Sequence, residues 1–272
     1  MKPIQNDTAR DREPGTEAMG MRVVRAPGVY GPQGDTELLM ESLAREELRP
    51  GARTLDLCTG TGVLAVAAAR RGARATAVDI SGRSVVTARL NARLHRCRVR
   101  VVRGDLTAPV SGERFDLVTV NPPYVPADSP RLPARGRRRA WDAGPDGRLL
   151  LDRICREAPA LLAPEGVLLL VQSSLSDVGA SLDALDRAGL RAHVAACSTQ
   201  PFGPVMSERA GWFEERGLVA PGTRSERLVV IRAVREAVRE PVRMSASLRG
   251  TRSVTPDGSG SGGGREEEAE AA

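Results

Sequence analysis

The sequence contains few of the side chains that build metal sites, disulfide frameworks and hydrolytic triads. Only two histidines occur among its 272 residues. Four cysteines are scattered along the chain: Cys58, Cys97, Cys155 and Cys197. Because no Cys-x-x-Cys pair occurs, we expect neither a zinc framework nor a disulfide scaffold. His95 and His193 lie in a helix-like and a strand-like stretch, where a structural or solvent-facing histidine is commoner than a ligand. We therefore predict no metal ion and no Ser/His/Asp triad.

Long hydrophobic runs are also missing from the chain. No apolar stretch approaches the roughly 20 residues that a membrane span needs. The first 20 residues are polar and contain no hydrophobic signal core. We therefore expect a cytoplasmic protein with no membrane contact. With 41% hydrophobic and 27% charged residues, the composition suits one globular domain plus tails. The expected organisation is a flexible segment at 1–25, a domain at 26–238 and a disordered Gly/Ser- and Glu/Ala-rich tail at 239–272.

The positive charge is almost entirely arginine, and it gives the chain a net charge of +6. A basic surface suggests an acidic partner such as RNA. The codon bias of a GC-rich genome would produce the same richness in arginine and alanine without any binding role. Five arginines fall between Arg131 and Arg139. This loop is interpreted either as a contact for a phosphate backbone or as a solvated loop.

Residues 53–79 have the pattern of a strand, a glycine turn, a helix and a second strand. Gly60 and Gly62 stand in the turn, where a backbone without side chains can approach a ligand closely in front of the helix N-terminus. Asp79 ends the second strand, where an acid can accept both hydroxyls of a ribose. Asp105 follows the next strand and could accept from an adenine amine, or could be an ordinary turn residue. Together these features predict a nucleotide-type site.

A second polar cluster ends the strand predicted at Phe115–Val120. The stretch Asn121-Pro122-Pro123-Tyr124 is stiff, because proline restricts both its own backbone and that of the residue before it. The Asn121 side chain and the Pro122 carbonyl are two neighbouring acceptors that could hold both hydrogens of an NH2 group. Tyr124 could offer a flat face to a planar amide or base. Ligands bind at such carboxyl ends of strands in open α/β sheets.

Strand-like and helix-like stretches alternate through the remainder, which predicts an α/β fold with a mostly parallel sheet. Asp35 or Thr36 is a plausible N-cap of an early helix, and the loop before it could lie across a cofactor or simply enter that helix. The connection 199–225 holds three of the seven aromatic residues, so part of it is expected to pack. Those residues are Phe202, Trp212 and Phe213.

The chain resembles Rossmann-type S-adenosylmethionine-dependent methyltransferases of the HemK/PrmC group, which methylate glutamine in proteins. The resemblance covers about residues 28–234. It depends on the following stretches: Asp56-Leu57-Cys58-Thr59-Gly60-Thr61-Gly62, Asp79, Asp105, Asn121-Pro122-Pro123-Tyr124 and Ala143-Gly144-Pro145-Asp146-Gly147. Residues 29–36 resemble the short branch that lacks the N-terminal helical domain of PrmC. Cys58 departs from the family pattern, because many relatives have glycine there.

The resemblance implies a seven-stranded Rossmann-like sheet and S-adenosylmethionine as the cofactor. The predicted cofactor-binding residues are Asp56, Gly60, Gly62, Asp79, Ile80, Asp105, Leu106 and Asn121. Asn121, Pro122 and Tyr124 are the predicted catalytic residues, which orient an amide nitrogen toward the methyl group. The implied substrate is a protein such as a peptide release factor. Relatives in the short branch use a zinc-binding activator subunit, and the sequence leaves the need for one open.

Two other functions remain open at this point. An N-methyltransferase for RNA or DNA bases would present the same NH2 group to the same residues, and the arginine loop favours it. A cofactor-binding partner protein without activity is the other alternative. The presence of Asn121 and Asp79 argues against an inactive protein.

Overall fold

A seven-stranded sheet forms the centre of the protein in the computed structural model, which describes residues 17–18 and 20–236. The strands are β1 Arg53–Leu57, β2 Arg74–Asp79, β3 Val99–Arg103, β4 Phe115–Val120, β5 Leu162–Ser173, β6 Leu190–Pro201 and β7 Ser225–Arg235. Their order across the sheet is β3-β2-β1-β4-β5-β7-β6. Neighbours from β3 to β5 are parallel, and β7 is antiparallel to both β5 and β6. The predicted mostly parallel, seven-stranded α/β fold is therefore confirmed.

Helices flank this sheet. They are α1 Gly34–Arg45, α2 Val63–Arg70, α3 Gly82–Leu94, α4 Leu149–Glu157, α5 Val178–Arg187, α6 Pro204–Glu208 and α7 Ala210–Glu215. Helices α1, α2 and α3 contact one another in succession, and α4 contacts α5. The chain winds outward from β1 to β3 and then in the other direction from β4. Right-handed crossovers in both directions place the two groups of helices on opposite faces.

The hydrophobic core is centred on the middle strands. Leu168, Leu169, Leu170 and Val171 of β5 are fully buried, as the prediction of a continuous apolar strand requires. Burial of each such side chain contributes about 1.5–3 kcal/mol. A rigid central sheet follows, and its strand ends hold fixed positions.

Several predicted boundaries differ from the structure. Strand β5 begins at Leu162 and β6 continues to Pro201, whereas the apolar runs of the sequence predict shorter strands at 166–172 and 190–196. The connection after β6 forms α6 and α7, with Phe213 fully buried and Phe202 nearly so. The predicted packing of that connection is thus confirmed in its aromatic residues. Within the described part of the chain, none of the helices is both long and apolar enough to cross a membrane.

The N-terminal part of the described chain contacts the core earlier than predicted. Met21 and Val23 are buried, although the predicted flexible segment covered residues 1–25. A short antiparallel pair joins Glu17–Ala18 to Met21–Arg22. Residues 1–16 and 19 of that segment, and the predicted tail at 239–272, lie outside the described residues.

Asn91 of α3 ties this N-terminal stretch to the glycine turn. Its amide nitrogen donates to the carbonyls of Val24 and Thr61, at 2.9 Å each, and its Oδ1 accepts from the Val24 amide at 2.8 Å. The Asn91 side chain is almost completely buried. A single side chain therefore connects residues 24 and 61 to the last turn of α3.

We expect Asn91→Ala to lower the free energy of unfolding by about 1–3 kcal/mol, because buried backbone groups lose their partners. Urea denaturation measures this change. Arg93→Ala, on the exposed side of the same helix, is the control and should stay within about 0.5 kcal/mol of wild type. Equal stability of Asn91→Ala and wild type would show that these hydrogen bonds contribute nothing.

Candidate functional site

The predicted site residues come together at one edge of the sheet. Parallel strands β1, β2, β3 and β4 all end there, so the glycine turn, Asp79, Asp105 and Asn121 lie at neighbouring positions along that edge. The register pairs Leu57 with both Val78 and Val120. This is the edge at which open α/β sheets bind ligands.

The glycine turn requires unusual backbone conformations. Gly60 and Gly62 have φ of 54° and 82°, and Cys58 has a φ of 57° despite carrying a side chain. A Cβ on Gly62 would lie 2.8 Å from the Cβ of Ala88 on α3, so glycine permits the close approach of the two helices. Burial raises the pKa of the Cys58 thiol, and the charge of Asp79 raises it further. Cys58 is therefore a neutral thiol that occupies a glycine-type conformation.

Asp79 is held directly beside the turn. Its Oδ2 accepts from the Gly60 amide at 2.9 Å, and its Oδ1 accepts from the Ser81 amide at 2.8 Å. Burial raises the pKa of Asp79, while these two amides and the charge of Arg139 oppose the rise. Each oxygen keeps a lone pair for another donor. A carboxylate fixed in this way fits a ligand with two adjacent hydroxyls.

Asp56 lies beneath the turn and does not face the open edge. The carboxylate is 2% exposed and accepts hydrogen bonds from the hydroxyls of Thr59 and Thr119. Both oxygens are thus engaged inside the protein. The predicted direct contact of Asp56 with a cofactor does not match this position, which instead supports the turn from below.

Asp105 and its neighbours form the far side of the edge. The Asp105 carboxylate accepts hydrogen bonds from both terminal nitrogens of Arg153 on α4, at 3.1 and 3.3 Å. Leu106 is buried with a φ of 44°, and the Ile80 carbonyl accepts from Nε of Arg103 at 3.3 Å. Arg153 was not predicted, since nothing in the sequence links it to a position 48 residues earlier.

The orientation of the Asn121 amide is set by Thr36. The Asn121 Nδ2 donates to Thr36 Oγ1 at 3.2 Å, and that hydroxyl donates to Asp35 Oδ1 at 3.1 Å. A hydroxyl has one hydrogen, so with that hydrogen on Asp35 its oxygen must accept from Asn121. Among the described residues, no group donates to Asn121 Oδ1 or to the Pro122 carbonyl. Two acceptors therefore remain available in the stretch Asn121-Pro122-Pro123-Tyr124 that follows β4, called here the tip of β4.

Asp35 is the centre of this arrangement. Its Oδ2 accepts from the hydroxyls of Tyr30 and Tyr124 at 3.0 and 3.1 Å, and these are the two tyrosines of the whole chain. Its Oδ1 accepts from both the amide and the hydroxyl of Thr36. Burial raises the pKa of both tyrosines well above the usual value, so they remain donors. Four hydrogen bonds thus satisfy a carboxylate that is 2% exposed.

Two predictions need correction here. Asp35 and Thr36 were interpreted as possible N-caps, but α1 begins at Gly34 and its N-cap is Gln33. The side chains of Asp35 and Thr36 instead form hydrogen bonds with Tyr124 and Asn121. Tyr124 was expected to present a flat face, yet it is only 7% exposed. With its hydroxyl bound to Asp35, the ring acts as a brace for the tip.

The stretch after the arginine loop supports the tip from behind. The Ala127 amide donates to the Gly144 carbonyl at 2.8 Å. A Cβ on Gly147 would lie 2.3 Å from the Tyr124 carbonyl oxygen, so only glycine fits there. Ser176 Oγ donates to the same carbonyl at 2.8 Å. These contacts fix the backbone of the tip.

Glu226 is a further buried carboxyl that the sequence did not indicate. It is the second residue of β7 and is 5% exposed, and its Oε2 has no hydrogen-bond partner among the described residues. Burial raises its pKa, the Ser173 hydroxyl and the Gln200 amide oppose the rise, and the charge of Asp35 adds to it. The antiparallel direction of β7 brings Glu226 to the same edge of the sheet.

The fold and this edge define a Rossmann-like methyltransferase, and comparisons with known proteins agree. A family model described as the methyltransferase small domain matches residues 20–132. A protein of Methanocaldococcus jannaschii named as an N5-glutamine methyltransferase is 32% identical over 191 residues, which are 70% of this chain and 95% of the relative. The chain therefore belongs to the HemK/PrmC-like family of S-adenosylmethionine-dependent methyltransferases.

Other relatives differ in their named substrates. The release factor glutamine methyltransferase of Geobacter sulfurreducens is 36% identical over 160 residues, which cover 56% of each chain. A Streptomyces pristinaespiralis methyltransferase named for 4-amino-L-phenylalanine is 37% identical over 184 residues, or 62% of each chain. The chain thus spans about three fifths of these two relatives. The E. cuniculi Mtq2–Trm112 structure shares the fold, with a TM-score of 0.53 and 24% identity over 77% of this chain and 99% of that one.

The buried position of Asp56 predicts a dependence of stability on pH. Burial raises the pKa of Asp56 from 3.8 to about 7. Between those values the folded carboxyl is protonated while the unfolded one is ionised, so the folded state binds more protons. We expect this residue to make the free energy of unfolding fall as pH rises, by at most about 1.4 kcal/mol per pH unit.

Urea denaturation of wild type and Asp56→Asn at pH values within this window measures that contribution. The asparagine variant should lose it, so the free energy of unfolding of wild type minus that of Asp56→Asn should fall as pH rises. Asp183→Asn, at an exposed position of α5, is the control. Identical pH dependence in wild type and Asp56→Asn would contradict the raised pKa.

Proposed function

We propose that this enzyme transfers the methyl group of S-adenosylmethionine to the side-chain amide nitrogen of a glutamine in a protein, with a peptide release factor as the substrate. The names of the Methanocaldococcus and Geobacter relatives support this substrate. The observation that carries the proposal is the pair of available acceptors, Asn121 Oδ1 and the Pro122 carbonyl, at the tip of β4.

These two acceptors suit a primary amide. Each can receive one hydrogen of the NH2 group, which fixes the amide plane and directs the nitrogen toward the cofactor side of the edge. An amide nitrogen is a poor nucleophile because its lone pair is delocalised. Positioning is then the main contribution, and well-oriented reactants can gain about 7–11 kcal/mol in this way. A strong base near the nitrogen is not needed before attack.

The cofactor is proposed to bind across the ends of β1, β2 and β3. Asp79 would hold the ribose hydroxyls, and the turn at Gly60 and Gly62 would face the rest of the molecule. Ile80, Asp105 and Leu106 would border the adenine, while Asp56 supports the turn. When bound, S-adenosylmethionine supplies an electrophilic methyl group on a sulfonium. The partly buried Asp79 carboxylate, with lone pairs still available, fits a ribose.

Asp35 and Thr36 are proposed as positioning residues. The buried Asp35 carboxylate keeps the Thr36 hydrogen, and Thr36 keeps the Asn121 NH2 group turned inward. The Asn121 oxygen is then presented to the substrate before the substrate arrives. Such preorganised polar groups are the most effective kind in catalysis, because no reorganisation is needed during the reaction.

A second substrate class is an amine of a small aromatic molecule. The Streptomyces relative is named for an amino-phenylalanine, and an aromatic NH2 group is planar like an amide. The same two acceptors would hold it. The base N-methyltransferase that the sequence left open would use them in the same way, so protein, arylamine and RNA acceptors belong in one assay. We place the reaction in the cytoplasm, where release factors act.

Removing the Asp79 carboxylate should weaken cofactor binding. For Asp79→Ala we expect the affinity for S-adenosylmethionine to fall by about 2–3 kcal/mol, the usual loss for a charged acceptor. Isothermal titration calorimetry measures it. Asp183→Ala, an exposed acid on α5, is the matched control and should bind as wild type does. Unchanged affinity in Asp79→Ala would remove Asp79 from the cofactor site.

Changes at Asn121 and Thr36 should separate chemistry from cofactor binding. Asn121→Ala should lower the rate of methyl transfer by at least about a hundredfold, as for loss of one preorganised donor or acceptor. Thr36→Val should lower kcat more than it changes KM, because the side-chain amide of Asn121 is then free to turn. Both variants should bind S-adenosylmethionine like wild type, and Thr36→Ser should restore activity.

The assay follows labelled methyl transfer to a release-factor domain with a Gly-Gly-Gln loop and, separately, to 4-amino-phenylalanine and RNA. Transfer to the protein that depends on Asn121 supports the proposal. Transfer only to the arylamine or only to RNA would replace glutamine as the acceptor. Full activity of Asn121→Ala on every acceptor would rule out the tip of β4 as the reacting centre.

A further inference from the structure

The five arginines of the loop at 131–139 differ in how they are bound. Arg138 is held by Asp142 at 2.7 Å and by Asp128 at 3.2 Å. Arg139 donates to the Ala134 carbonyl at 2.8 Å and its charge acts on Asp79. The other three are exposed and their side chains have no hydrogen bond or ion pair with the described residues: Arg131, Arg135 and Arg137. Within this loop, these three have no side-chain partner among the described residues and can bind one.

A fourth arginine joins them from a different element. Arg83 lies in the first turn of α3, and both Arg83 and Arg137 lie beside Gly28. A Cβ on Gly28 would lie 3.3 Å from Arg83 Nη1 and 3.9 Å from Arg137 Cγ. Neither arginine is paired with a carboxylate of the described residues. Two unpaired arginines beside the same loop residue favour a bound anion nearby, and the positive end of α3 adds to that preference.

This group of arginines borders the reacting centre. The segment from Gly28 passes over the glycine turn, where a Cβ on Gly60 would lie 3.7 Å from the Tyr30 carbonyl. Tyr30 in turn contacts Asp35, which orders the tip of β4. The loop itself begins seven residues after Tyr124. An anion bound at Gly28 would therefore lie beside the entrance for the methyl acceptor.

We propose that Arg83, Arg131, Arg135 and Arg137, the basic rim, bind the phosphates of RNA, so that the substrate protein reaches Asn121 while RNA lies against this rim. The inference rests on the proposed function, because it describes how the protein acceptor is presented. Guanidinium groups match phosphate oxygens in pairs. RNA fits better than an acidic peptide because its backbone carries a charge at every nucleotide and can follow four arginines from two separate elements.

A variant with Gln at all four rim positions tests the proposal. The control variant carries Gln at four other exposed arginines, which lie at or just after the C-terminal ends of α2 and α3, at the opposite edge of the sheet. These are Arg70, Arg93, Arg96 and Arg98. Fluorescence anisotropy with a labelled RNA stem–loop is measured between about 50 and 200 mM salt. We expect the rim variant to bind at least about tenfold more weakly, with a salt slope smaller by about 3. The control should bind as wild type does.

Methyl transfer separates this inference from the proposed function. The rim variant should methylate the isolated release-factor domain at the wild-type rate, and should lose transfer when that domain is presented on ribosomes. Equal RNA binding by the rim variant and wild type, or equal loss in the control, overturns the proposal. The proposal is also overturned if wild type binds polyglutamate but does not bind RNA. If wild type does not methylate the isolated domain, the proposed function fails, and the RNA measurement still decides whether the rim binds phosphate.

Discussion

The site depends on one buried carboxylate, that of Asp35. A carboxyl group at 2% exposure is costly to bury unless it is fully hydrogen-bonded, and Asp35 accepts four hydrogen bonds from Tyr30, Tyr124 and Thr36. Each donor belongs to a segment that must hold its position. The loop before α1 and the tip of β4 are therefore fixed relative to each other by the same group. Through Thr36 the effect reaches Asn121, whose side-chain oxygen accepts no hydrogen bond from the described residues.

The remainder of the fold keeps that arrangement rigid. Strand β4 is buried between β1 and β5, and two prolines at its end restrict the backbone of the tip. Behind the tip, Gly147 allows the chain to approach the Tyr124 carbonyl, and Ser176 donates to it. The polar groups at the tip of β4 are thus positioned by folding alone. This is the condition under which preorganised dipoles contribute most to a rate.

Local patterns in the sequence were sufficient to predict the sheet, the glycine turn and the position of Asp79, because each depends on residues close together in the chain. Side-chain networks over long separations were not predictable. Asp35 has the local signature of an N-cap, but it bonds to Tyr124, 89 positions away. Arg153 meets Asp105 across 48 positions without any motif. Asp56 shares a motif with the glycine turn, and its buried position depends on Thr119 of a neighbouring strand.

The central claim is that the Asn121 oxygen, held outward by Thr36 and Asp35, receives the amide of the acceptor. The most direct measurement is a crystal structure with S-adenosylhomocysteine and a Gly-Gly-Gln peptide bound. The account predicts the glutamine amide nitrogen within about 2.7–3.2 Å of both Asn121 Oδ1 and the Pro122 carbonyl. A glutamine bound elsewhere would contradict the account. So would an Asn121 side chain whose NH2 group has turned from Thr36 and donates to the carbonyl oxygen of the glutamine.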